Sequence, residues 1–141
     1  MKWILFAVIG LFTAPSVSHA EELVSMFTIL GNPSAFDGKP VVVEGVLGVK
    51  GEVAVLYADH GSHDAGILIN SFLITQFANR GVAGLDIDEL RRMEGKYVAV
   101  WCKYFYSEPR SRAYTGALGD ITRMALVPNL PAYSTAVQPP R

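Results

Sequence analysis

A single cysteine, Cys102, stands in the 141-residue chain, so no intramolecular disulfide can form and stability has to come from a packed core. It lies in the apolar run VAVWCKYFY, where strand alternation puts it on one face with Val98 and Val100. That is the setting of a thiol behaving as a small hydrophobe; a nucleophilic thiol needs a neighbouring base and a depressed pKa. The chain also lacks a G-x-S-x-G elbow, an H-E-x-x-H pair and a Gly-rich phosphate loop, which removes the common hydrolase, metalloprotease and nucleotide-binding signatures. Charge is sparse, at 18% of residues, and nearly balanced: Lys and Arg number 12 against 13 Asp and Glu. A protein that neutralises nucleic-acid phosphates shows a basic excess, and here there is none.

Long hydrophobic runs are missing too, with one informative exception. Residues 4–14, ILFAVIGLFTA, are uncharged and mostly apolar, too short for the roughly 20 residues of a membrane span. Lys2 precedes the run, Pro15 breaks it, and Ser18-His19-Ala20 places small residues at the −3 and −1 positions that a signal peptidase reads. The sequence therefore predicts a secretory leader over residues 1–20, cut between Ala20 and Glu21. No cysteine follows the cut, which argues against a lipid anchor, and no transmembrane span is expected once the leader is gone. A periplasmic or secreted protein is the expectation. The remainder has the length of one domain.

What is present after Glu21 is a set of short β-rich segments separated by glycine and proline. Leu23, Met26, Phe27 and Leu30 recur at helical spacing, ended by Gly31-Asn32. Residues 33–36 read as a single turn and Asp37-Gly38 as a tight turn. A first strand covers 41–49, with Gly45 where it bends, and a second covers 52–57. The polar loop 58–66, ADHGSHDAG, leads to a third strand over 67–70. Residues 71–85 read as an irregular or partly helical crossover. Asp86 or Asp88 caps a short helix closed by Gly95. A fourth strand spans 97–106, a turn with Pro109 follows, and 114–127 supplies the fifth. Pro131, Pro139 and Pro140 mark 128–141 as an extended or disordered tail. Val41, Val43, Val98, Val100, Leu118 and Ile121 form the aliphatic set expected to fill the interior.

Three segments carry a resemblance. PSAFDGKPVVVEG (33–45), MEGKYVAVW (93–101) and GALGDIT (116–122) resemble the first-strand opening, fourth-strand entry and closing strand of small exported bacterial proteins with an oligonucleotide/oligosaccharide-binding (OB) domain. The likeness covers most of residues 21–127 and is one of pattern. It implies an all-β fold with minor helix: a five-stranded Greek-key barrel, a helical segment between strands three and four, and a short N-terminal helix. It also implies a binding surface on strands two and three, framed by loops that hold Lys50 on one side and Tyr106, Arg110 and Arg112 on the other.

Asp59, His60, His63 and Asp64 are the best chemical constellation, because His and carboxylate can share a metal. A catalytic zinc takes three ligands from firmly held positions, whereas both histidines here sit in one Gly-containing loop of the kind that usually only turns the chain. Ser62 beside His63 and Asp64 has the residue types of a catalytic triad, but loop neighbours rarely have its geometry. Asp86, Asp88 and Glu89 are accounted for by helix capping. The expectation is a non-catalytic binding protein without cofactor, its partner a protein or another cell-envelope component. Export and the acidic balance weigh against nucleic acid. One alternative is an oligosaccharide- or nucleic-acid-binding module; a second is a small metal-binding or hydrolytic protein using the His60/His63 loop.

Overall fold

The computed structural model describes residues 21–75, 85–106 and 113–128. The expected leader (1–20), the expected tail beyond Pro128, part of the expected crossover and Arg110 and Arg112 lie outside the described residues. Among the described residues there are six strands: β1 (Glu22–Ser25), β2 (Pro40–Lys50), β3 (Val53–Tyr57), β4 (Ser71–Ile74), β5 (Tyr97–Tyr106) and β6 (Gly116–Leu126). Three short α-helices accompany them there: α1 (Met26–Gly31), α2 (His60–Ala65) and α3 (Ile87–Arg92).

β2 pairs antiparallel with β3 and β5, β3 with β4, and β5 with β6; the parallel pairing of β4 with β6 closes the ring. This closed five-stranded order is the OB-type barrel. β2 is the long strand that serves both halves. Pro40 to Val46 pair with β5, and Val46 to Lys50 pair with β3. Gly45 stands at the turn between them. A Cβ there would lie 2.5 Å from the Tyr57 carbonyl oxygen, 2.8 Å from Leu56 Cγ and 2.9 Å from Met26 Sδ. The residue has to be glycine because backbone and core press on it from three sides.

The interior is filled by alternation. Val41, Val43, Val98, Val100 and Leu118 are buried, as are Ile121 and Cys102, so the aliphatic set read from the sequence does point inward. Tyr104 and Phe72 add the largest rings, 5.0 Å apart. Met26 and Ile29 of α1 and Leu90 of α3 belong to the same core. In α3, Asp86 accepts from the Glu89 N–H while Glu89 accepts from the Asp86 N–H. This reciprocal cap explains why so short a helix forms.

Three segments differ from the sequence-based expectation. The N-terminal helix starts at Met26, not at Leu23: Ser25 caps it, and residues 22–25 form a strand parallel to β2. The buried set is therefore Val24, Met26 and Ile29, while Leu23 and Phe27 remain 63% and 60% exposed. The third barrel strand is Ser71–Ile74, four residues later than residues 67–70, which instead carry a 3-10 turn at Leu68–Asn70. Burial decides this, since only the later segment supplies core residues, Phe72 and Ile74, and the Ser71 hydroxyl ties the turn by donating to the Leu68 carbonyl. The loop 58–66 is helical. Asp59 accepts from the Ser62 N–H at 2.7 Å, and Gly66 ends the helix in the left-handed region (φ 64°).

Candidate binding face

The outward-facing residues form two distinct regions. The first is sealed. α2 folds back over the outside of β2 and β3, where Val46, Val55 and Tyr57 form a second small core with Leu68, Tyr97 and Tyr114. His63 meets Tyr57 edge-on at 5.4 Å between ring centroids, and His60 meets Tyr97 the same way at 4.9 Å. Gly48 makes room for the Tyr57 ring, 2.7 Å from where its Cβ would be.

This geometry determines what the histidine constellation does. His63 Nδ1 lies 2.9 Å from Asp64 Oδ1, and both Asp59 carboxylate oxygens are occupied by Ser62. The four residues face different partners and converge on no common point. Among the described residues no group of three or more His, Cys, Asp or Glu is placed to hold a metal ion. The histidines are packing residues of α2. Ser62 is buried and shared between Asp59 and Asn70 rather than aimed at His63.

Of the loop residues, Lys50 and Tyr106 are described. Lys50 ends β2 and stands next to Gly66 at the C-terminus of α2, where a cation is favoured. Tyr106 is at the far end of the β2–β5 ladder. Its N–H donates to Asp37 Oδ1 at 2.9 Å, and its ring packs against the main core. Among the described residues, then, Lys50 and Tyr106 have structural explanations.

The second outward region is open. Register places Leu73, Ala117 and Phe105 in one row across β4, β6 and β5, next to the buried Val55 of β3. Phe105 lies against Gly119, whose Cβ would be only 2.8 Å from the ring, so the ring rests on the strand and stays 39% exposed. Thr75 borders the row, its hydroxyl donating to the Leu118 carbonyl at 3.0 Å. Val53 and Ile69 are further exposed apolar residues, at 42% and 69%. No charged residue stands in the row. The ion pair beside it, Lys103 to Asp120 at 3.1 Å, is self-neutralised. The surface can make dispersion and hydrophobic contacts with a neutral or apolar partner. Reading strands one at a time misses this row, because its three members come from three separate segments.

Burial also shapes the titrating groups beneath the face. Burial, and then the neighbouring Tyr106 and Asp37, push Tyr104 up from 10.0 to about 12; its hydroxyl donates to the Thr115 carbonyl at 3.0 Å. Burial raises Tyr57 as well, with Tyr114 adding to it, and takes the Cys102 thiol from 9.0 to about 12, with Glu21 adding to that. A raised folded-state pKa means that the neutral form is favoured on folding. The associated stability is complete below the ordinary values of 9.0 and 10.0 and is lost as pH rises toward about 12. Urea midpoints are expected to hold steady up to pH 9 and fall progressively above it, with absorbance at 295 nm showing phenolate appearing together with unfolding. Thiol labelling of Cys102 should track global opening.

No family model matches the sequence, and no curated protein matches it. Among solved structures, the crystal structure of a "putative aspartyl-tRNA synthetase" from Leishmania major Friedlin is similar over 81% of this chain and 22% of that one. The identity is 12% and the TM-score 0.43. The present chain thus spans about a fifth of the length of that protein. Among the described residues no helix is long and apolar enough to cross a membrane.

Proposed function

We propose that this chain is a non-catalytic, exported OB-fold protein that binds a protein or another component of the cell envelope. The barrel is compatible with an OB-like binding module, and the observation that carries the choice of partner is the uncharged row Leu73–Ala117–Phe105. An uncharged sheet surface with an exposed aromatic ring suits a partner that brings apolar side chains or acyl groups. The test is capture from periplasmic and membrane extracts by immobilised protein, with Phe105→Glu as the comparison. Phe105 is partly exposed, so the variant should melt within a few degrees of the parent while losing about tenfold or more in capture. Equal capture by both proteins removes this face from consideration.

A second reading, an oligosaccharide ligand, is favoured by one feature: the exposed Phe105 ring lying on Gly119 beside the polar Lys103–Asp120 pair. Titration with neutral oligosaccharides, followed by the amide signals of residues 103–106, separates the two. Export rests on the leader at residues 1–20. Intact-mass measurement of the expressed protein should find a chain beginning at Glu21; a mature species that keeps the leader overturns both the cut and the periplasmic or secreted placement.

A further inference from the structure

β1 gives the molecule a further surface, apart from the Phe105 row. It is the terminal strand of the sheet: one edge pairs with Val41–Glu44 of β2, and the other pairs with no strand among the described residues. An open edge offers backbone N–H and C=O groups to an incoming chain, and folded proteins normally blunt such edges. Here the blunting is incomplete. Leu23 is 63% exposed on the edge strand, and Phe27 is 60% exposed just beyond it. The register also carries Leu23 into a row with Val42 and Trp101, ending on Arg123, whose guanidinium stacks 4.4 Å from the Trp101 ring centre.

Charge selects among possible occupants. Glu21 and Glu22 are exposed, and Glu44 is half-buried beside Ser25. None of the three has an ion pair among the described residues, whose pairs are His63–Asp64, Arg91–Asp88 and Lys103–Asp120. Arg123 is committed to the Trp101 ring. Cleavage before Glu21 would add one α-ammonium beside these three carboxylates, so the edge carries net negative charge around an apolar centre. A second copy of this chain would bring the same carboxylates to it, which disfavours pairing of β1 with itself.

We infer that the free edge of β1 accepts an extended polypeptide segment of a partner protein in which basic and apolar residues alternate, by strand addition. Backbone pairing supplies the register. Lys or Arg side chains stand on the face of Glu21, Leu23 and Glu44, with their charged heads at the carboxylates and their stems over Leu23, and the intervening apolar side chains fall on the opposite face, that of Val24. This surface is separate from the Phe105 row, and its occupancy does not depend on the function proposed above.

The test uses the full chain, isotope-labelled, and three short probes: an alternating Lys–Val peptide, its Glu–Val counterpart, and the Lys–Val peptide N-methylated at alternate residues. Strand addition predicts saturable shifts and slowed amide exchange confined to residues 21–27, for the first peptide only. Glu21→Lys with Glu22→Lys should weaken that peptide by about tenfold or more and give affinity for the Glu–Val peptide. Both positions are exposed, and an unchanged thermal melt will show that the double variant is folded. Failure of the Lys–Val peptide to bind overturns the inference. Equal binding by the N-methylated peptide also overturns it, since charge alone then holds the peptide. Shifts centred on Leu73 and Phe105 would place peptide binding on the other face and equally refute it.

Discussion

Gly45→Val is expected to destabilise the protein by about 3 kcal/mol, far more than a surface change. The backbone at Gly45 is not left-handed, so the cost is steric and not conformational. A Cβ would press on the Tyr57 carbonyl at 2.5 Å, and the two valine methyls have only Leu56 and Met26 to displace. The Tyr57 carbonyl belongs to β3 and cannot move without disturbing the pairing of Val46 with Tyr57. Gly45→Ala should therefore already lose a substantial part of the stability. Urea unfolding of parent, Ala and Val variants measures this. Equal midpoints for all three would mean that β2 does not change partners at residue 45, and the barrel topology would fall with that result.

The closure of the barrel is the second sensitive point. Gly116 pairs with Phe72 across the parallel β4–β6 seam and with Tyr106 on β5. A Cβ at Gly116 would meet the fully buried Tyr104 ring, 2.5 Å from its hydroxyl oxygen and 2.6 Å from Cζ. Gly116→Val should cost about 3 kcal/mol by forcing that ring from its place and breaking its hydrogen bond to Thr115. Tyr104→Ala should cost about 4 kcal/mol through the cavity it leaves. In the double variant the valine occupies part of that cavity, so its loss should fall short of the sum by more than about 1 kcal/mol. Chemical denaturation of the four proteins completes the cycle. Strict additivity would show that the ring and the glycine do not share space, and that the seam is arranged differently.

Both experiments test features that glycine positions announced. Gly45 interrupts a run of β-branched residues, which is a recognisable bend, and Gly116 opens the closing strand. The two long strands were equally plain, because β2 is rich in valine and β5 in valine and aromatic residues, with no proline or turn signal inside either beyond their first residues. The reciprocal cap of α3 is written in Asp86 and Glu89. Other elements carry weaker local signals. HGSHDA has no helical periodicity, and α2 forms because Asp59 and Gly66 cap it at either end and because Tyr57 and Tyr97 receive its histidines. A polar loop reading of those residues treats the imidazoles as solvated when they are packed.

β1 shows a different limitation. Four residues, ELVS, flow into MFTIL, and the leucine and phenylalanine spacing mimics a helix. Only contact with Val41–Glu44, some twenty residues on, converts the first half to a strand and turns Val24 rather than Leu23 inward. The candidate face is the extreme case. Residues 73, 105 and 117 have no local relation. They meet because the barrel closes, and closure depends on the β4–β6 pairing of two strands far apart in the chain.

Local chemistry thus determined the strand-rich class, the inward aliphatic set, the bend at Gly45, the α3 cap and the inert setting of Cys102. These rest on the period-two alternation and on glycine or capping residues acting within a few positions of themselves. Tertiary structure alone decided which outer surface α2 seals, which one stays open, and that β1 carries an unpaired acidic edge. Those outcomes follow from strand register and barrel closure. Both are set by pairing between distant segments, and pairing leaves no signature in either segment by itself.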